Sequence, residues 1–203
     1  MPDPSTQPAA ASVLEALRGA TTAQHKNLES SPAMARLFES DYSIAEYRAH
    51  LGRLLGLFEP LERAASQAAD GANCDVPLER SLPVRSMDLR EDLRLMGATE
   101  SDIDSIERCQ RLPLIPAAGL PGYTYVILGS TLGGRVIVKQ LREVLGQGAS
   151  FRFYGDESGR HQGAWASFRS GLEDNKKEDV EAICATAVGV FDAYAAWFAA
   201  PLS

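Results

Sequence analysis

The sequence predicts an all-α fold, a single-domain helical bundle, on three observations. Apolar residues recur three or four positions apart along most of the chain, the period of one face of a helix. A serine or threonine stands three residues before an acidic residue at Ser12/Glu15, Ser43/Glu46 and Thr99/Asp102, the capping-box signature of a helix start. The composition, 45% hydrophobic and 23% charged, is that of an ordinary globular protein, and its frequent Leu, Ala and Glu lean towards helix. A chain of 203 residues suits one core that buries about two-thirds of the unfolded surface without help from a metal or disulfide.

In chain order, residues 1–11 (MPDPSTQPAAA) read as a flexible N-terminal tail and residues 12–200 as the folded domain. The Ser12 box opens a first helix running to about Glu29. Ser31 followed by Pro32 restarts the chain as a short second helix, because the fixed φ and missing N–H of proline suit the first helical position. The Ser43 box opens a long third helix whose apolar stripe runs from Tyr47 through Leu51, Leu54, Phe58 and Leu61 to Ala68. Pro60 removes one donor from it and is expected to bend it. Residues 70–84 read as a loop. Two short helices follow, one ending at Gly97 and one opening on the Thr99 box. LPLIPAAGLPG is a Pro and Gly connector, and a long apolar segment then runs from about Leu120 to Leu145. Residues 146–159 (GQGASFRFYGDESG) read as a loop, and 160–174 and 178–199 as two closing helices.

A net charge of -7 and a pI near 5.0 argue against a nucleic-acid partner, which needs a basic face. The three cysteines, Cys74, Cys109 and Cys184, are odd in number and lack C-x-x-C or zinc spacing, which suits a reducing compartment. The N-terminus has neither the basic nor the apolar region of a signal peptide. No apolar stretch approaches the ~20 residues of a membrane span. The expected location is cytoplasmic, with no membrane partner.

The segment ILGSTLGGRVI, residues 127–137, interrupts Val, Ile and Leu with Gly129, Gly133 and Gly134. The β-branched flanks allow a loop between two strands, but no other segment offers a partner strand. The spacing G-x-x-x-G-G matches neither phosphate-binding glycine motif. On a helix, Gly129 and Gly133 share a face and leave it without Cβ atoms. Each costs roughly 1 kcal/mol of helix stability against Ala, so the bald stripe serves either tight helix packing or a flat ligand laid against the backbone.

The first helix carries Arg18, Thr21, His25 and Glu29 on one face, with Arg18 roughly 10 Å along the axis from His25. A carboxylate one turn from a histidine can fix its tautomer and turn its other nitrogen to a metal. The plainer reading is a surface His and Glu pair worth a few tenths of a kcal/mol.

Together these segments resemble the heme oxygenase family. LRGATTAQHKNLE (residues 17–29) is similar to the family's first-helix motif around its proximal histidine, and YTYVILGSTLGGRVI (123–137) to its distal-helix motif. VFDAYAAWF (190–198) is similar to the stretch whose paired phenylalanines line the heme pocket. The GSTLGG form looks closest to bacterial members, including those that make bilin for bacterial phytochromes. The resemblance runs from about Val13 to Phe198.

It implies that residues 12–200 form a heme oxygenase-like domain with heme between the first helix and a kinked, glycine-rich distal helix. His25 would bind the iron through a neutral imidazole nitrogen, Glu29 would orient His25, and Arg18 would pair with a propionate. Phe191, Phe198 and Tyr125 would contact the macrocycle. Gly129 and Gly133 would let the distal backbone approach it, with Ser130 standing where mammalian members carry an aspartate, so that Gly129, Ser130 and Gly133 form the catalytic wall. Tyr123, Arg135, Lys139, Arg152 and Arg169 are further candidates for the family's tyrosine and its second propionate contacts. Heme is then both cofactor and substrate, cleaved with dioxygen to biliverdin, carbon monoxide and ferrous iron. No flavin or nicotinamide motif is present, so the resemblance implies electrons from a separate ferredoxin or flavoprotein reductase, and a bacterial phytochrome as a bilin acceptor.

Three rivals remain at the level of sequence. A heme carrier or sensor would keep His25 and the pocket but hold heme intact. A helical non-heme iron protein could use His25 and Glu29 with a second pair, Glu46 and His50, but E-x-x-H is absent and Glu46 and His50 are expected to flank the apolar stripe. A scaffold of the thiamin-degrading kind would not need the glycines. His161 is expected to be solvent-exposed.

Overall fold

Each start signal in the sequence becomes a helix start in the computed structural model, which describes residues 12–71, 82–156, 159, 161, 163–172 and 179–200. Helix α1 is Val13–Glu29. The Ser12 N–H donates to Glu15 Oε2 at 2.9 Å and the Glu15 N–H donates to Ser12 Oγ at 3.2 Å, so two otherwise orphaned backbone donors are satisfied reciprocally. Helix α2 is Pro32–Arg36, capped by Ser31. Helix α3 is Ile44–Gly71 and passes through Pro60 without ending there, its entry fixed by the Ser43/Glu46 box. Helices α4 (Ser86–Leu95) and α5 (Glu100–Ser105) are separated at Gly97, whose φ of 87° is the left-handed conformation that ends a helix cheaply only at glycine.

After a 3-10 turn at Ala117–Gly119, α6 runs as one helix from Leu120 to Leu145 through all three glycines of the 127–137 segment. The β-branched flanks are therefore helical, and tertiary packing overrides their local preference for strand. Helix α7 is Arg152–Gly155, α8 is Ala164–Leu172 and α9 is Val180–Ala199. The described residues contain no strand. Residues 1–11 and most of the 70–84 loop lie outside the described residues.

Helix α9 packs between α1 and α6, and α3 and α4 close the other side. Leu17 of α1, Leu51, Leu54 and Leu61 of α3, Leu120 of α6 and Ile183 of α9 are all buried at 1% exposure or less. Each such side chain contributes about 1.5–3 kcal/mol of hydrophobic stabilisation. Gly122 lets α6 and α9 approach backbone to backbone, since a Cβ there would collide with the Ile183 carbonyl.

Two expectations need correction. The 146–159 loop contains α7, because the Asp92 carboxylate of α4 accepts the N–H groups of Arg152 at 2.8 Å and Phe153 at 2.9 Å. A helix of four residues is too short to form alone, and its start is stabilised from 60 residues away in sequence. Secondly, α9 is 20 residues long and apolar enough to cross a membrane by length and composition. It packs against α1 and α6 through a buried face of Ile183, Thr186, Ala187, Val190 and Phe191.

Candidate functional site

A cavity of about 560 Å³ opens between α1 and α6, within the ~300–1,000 Å³ range of small-molecule sites. Helix α1 lends it His25, Leu28 and Glu29; α6 lends Tyr125, Gly129, Ser130 and Gly133; α9 closes the floor with Val190, Phe191 and Tyr194. Further walls come from Phe58 and Leu61 of α3, Phe153 and Tyr154 of α7, and Trp165 of α8. Its lip is apolar and open to solvent: Phe38, Leu132 and Val136 line it at 46%, 42% and 66% exposure. Large apolar side chains left in water around a cavity mark a binding mouth.

The three glycines of the motif divide into two kinds. A Cβ built on Gly129 or Gly133 would meet nothing within 4 Å, whereas one on Gly134 would lie 2.7 Å from the Tyr154 carbonyl oxygen. Gly134 is thus a packing glycine that lets α7 dock on α6. Gly129 and Gly133 face open space and leave bare backbone on the cavity wall. The Ser130 hydroxyl donates to the Ile127 carbonyl at 2.7 Å, so its oxygen retains acceptor capacity on the cavity side.

Across the cavity, His25 Nδ1 lies 3.3 Å from Glu29 Oε2, with its side chain 58% exposed. The ring meets Phe191 edge-on, with centroids 5.9 Å apart and planes at 72°. With Nδ1 turned along its own helix towards Glu29, Nε2 is the edge of the ring left for another partner.

The sequence pattern of the family described as Heme oxygenase matches residues 11–200. The chain belongs to the heme oxygenase family. A solved structure of heme oxygenase from Leptospira interrogans superposes with a TM-score of 0.68 at 21% identity, covering 93% of this chain and 98% of that one, so the heme oxygenase fold is shared. No curated protein matches the chain.

Against this family frame, the structure gathers His25, Glu29, Tyr125, Gly129, Ser130, Gly133 and Phe191 around one cavity. It does not bring in Arg18 or Phe198. Arg18 is exposed on α1 and outside the lining. Phe198 stacks on Tyr194, with centroids 4.8 Å apart and planes at 13°, one layer behind the wall. Tyr123 is buried in the core with its hydroxyl donating to the Pro83 carbonyl, and Arg135, Lys139 and Arg169 are exposed.

Sequence reasoning missed the α7 wall. The aromatic density of FRFY, residues 151–154, was its one signal inside an apparent loop. Tyr154 holds His50: the His50 Nε2 and Tyr154 hydroxyl are 2.6 Å apart and their rings stack, with planes at 16°. Burial lowers the His50 pKa to about 3 and raises that of Tyr154 well above its ordinary value. Both groups are therefore neutral near pH 7. His50 was expected beside the apolar stripe and is instead part of the core, because Tyr154 gives its polar nitrogen a partner there. Glu46 points elsewhere, to Ser43 and Arg36, so the rival iron site built on Glu46 and His50 does not assemble. His161 was expected in solvent, but its side chain is 7% exposed, beside Asp88.

Proposed function

We propose that this protein is a catalytic heme oxygenase that cleaves heme to biliverdin, carbon monoxide and ferrous iron, using dioxygen and electrons from a separate ferredoxin or flavoprotein reductase. The observation that carries the reading is the pairing of an open glycine stripe, Gly129 and Gly133, with a histidine across the cavity whose Nδ1 is engaged by a carboxylate. A flat, largely apolar macrocycle fits a slot walled by bare backbone on one side and by Phe191 and Leu28 on the other. Heme, as substrate, supplies the iron at which dioxygen is reduced.

The remaining work falls to the chain. Glu29, 3.3 Å from His25 Nδ1, would accept the Nδ1–H, fix the tautomer and leave the Nε2 lone pair for iron. Gly129 and Gly133 admit the macrocycle against the α6 backbone and leave room for a small molecule beside it. Ser130, with its proton held by Ile127, presents an acceptor that orders a water. Tyr125 and Phe191, which line the cavity, would border the macrocycle, and Phe198 would act through Tyr194, against which it stacks. Arg18, free in solvent on the same face as His25 and about two turns away, meets a propionate at the cavity edge. Catalysis of this kind rests on orientation and exclusion more than on acid-base side chains. The protein works in the cytoplasm, and a bacterial phytochrome is the proposed bilin acceptor.

The test is an aerobic absorption time course of the full chain with one equivalent of hemin, a reductant and catalase. A Soret band that forms and decays into broad bilin absorption is the expected result. A Soret band that persists when electrons are supplied by a ferredoxin and its reductase means that heme is carried intact, and no Soret band removes heme altogether.

A further inference from the structure

Behind the α7 wall lies a second constellation that the reading above does not use. Asp88 of α4, Asp156 at the end of α7 and His161 each offer one ligand atom, and these atoms lie within 4.8 Å of one another. The side chains of Asp88 and His161 are 1% and 7% exposed, and Asp156 is half-buried. His161 Nε2 stands 3.6 Å from Asp88 Oδ2, too far for a hydrogen bond. This Nε2 has no hydrogen-bond partner among the described residues, an unfavourable state for a buried polar atom. An imidazole nitrogen left without a hydrogen bond, in a cluster with two carboxylates, is held ready for something that shares all three.

Further acidic groups lie around the buried Arg85. The Arg85 guanidinium, 3.9 Å from Asp88, has Asp88, Asp156 and Glu62 as its acidic neighbours. Burial also pushes the carboxyls of Glu62 and Asp92 upward, as expected where acids crowd together out of water.

We propose that Asp88, Asp156 and His161 form a binding site for one divalent first-row metal ion, such as zinc, manganese or ferrous iron, through two carboxylate oxygens and one imidazole nitrogen. A mixed oxygen and nitrogen set of this kind suits those ions better than calcium or magnesium, which take oxygen ligands. Occupancy ties α4 to the stretch that carries Phe153 and Tyr154 into the cavity wall and leads on to Trp165 of α8. The metal therefore staples one wall of the cavity without touching its contents.

Titration of the heme-free full chain with Co²⁺, followed by visible absorption, tests the site. One equivalent is expected to bind with the bands of a protein-coordinated ion. Asp156→Asn and His161→Ala are each expected to weaken binding by more than the roughly 10–100-fold cost of losing an outer partner of a metal site, while His25→Ala leaves it unchanged. In the wild-type chain, Zn²⁺ should shift the imidazole resonances of His161 and not those of His25 or His50, which keeps the assignment testable if a variant fails to fold. No Co²⁺ binding, binding indifferent to both ligand variants, or binding lost in His25→Ala overturns the proposal. None of these readouts depends on heme cleavage.

Discussion

His25 and His50 each stand one helical turn from a glutamate, and the structure puts the two pairs to opposite uses. His25 lies on α1 at the edge of the cavity, more than half exposed, and faces its own Glu29 at 3.3 Å. His50 lies inside the bundle, deserted by Glu46 and bound to Tyr154 at 2.6 Å. The i, i+4 spacing only places two groups on one face. What that face meets decides the rest: a cavity leaves an imidazole nitrogen available, and a core consumes it. Of these two histidines, His25 is the one whose second nitrogen the core did not claim.

The largest effect is expected from removing either histidine in turn. Because only His25 borders the cavity, His25→Ala should lose the native heme spectrum and all turnover while its melting temperature barely moves, as for an exposed site. His50→Phe should keep heme ligation. A His25→Ala protein with an unaltered Soret band and activity would reverse the comparison.

Next comes acid. The folded pKa of His50, about 3, lies below the ~6.5 of an unfolded histidine. Between those values the unfolded chain binds the extra proton, so stability rises with pH across the window and is lost as pH falls from about 6.5 towards 3. The loss is on the order of a few kcal/mol. Glu62 and Asp92, with raised folded pKa values, bind protons preferentially in the folded state and oppose that trend. The informative quantity is therefore the slope of denaturation free energy against pH in wild type minus that in His50→Phe, and equal slopes would place His50 in contact with water.

The glycines give a smaller contrast on a single helix. Gly134→Ala forces a Cβ to 2.7 Å from the Tyr154 carbonyl and should cost about 1–3 kcal/mol, as overpacking does. Gly129→Ala meets open space and should gain roughly 0.5–1 kcal/mol in a helix interior. Gly129→Leu should then be stable yet impaired in turnover. Urea titrations that rank the two alanine variants the other way would mean the stripe serves packing.

The smallest effect belongs to Glu29→Gln, expected to change stability by only about 0.2–0.5 kcal/mol but to shift the ferric heme spectrum through His25. A shift in stability without one in the spectrum would reduce Glu29 to a surface partner.

Much of the fold is local and was legible. Ser12, Ser43 and Thr99 start helices through contacts three residues away, and the bounds of α6 follow its apolar run. What stayed hidden depends on distant partners. Helix α7 needs Asp92 to satisfy its first N–H groups, and nothing within residues 146–159 announces that. His50 needs Tyr154 before it can be buried, and His161 needs Asp88 and Asp156 beside it. At the candidate site the two cavity-facing glycines share a helical face, but Gly134 could be told from them only once α7 was seen against it. The motif residues nearest the cavity were named from a resemblance, whereas the wall from α7 and α8 could come only from packing.

The most direct test of the central claim is imidazole rescue. Hemin bound to His25→Ala is titrated with free imidazole and compared with wild type by absorption. The account predicts an altered Soret band that returns to the wild-type position as imidazole fills the space left beside Glu29, whereas a wild-type band before any imidazole is added would show that His25 does not hold the iron.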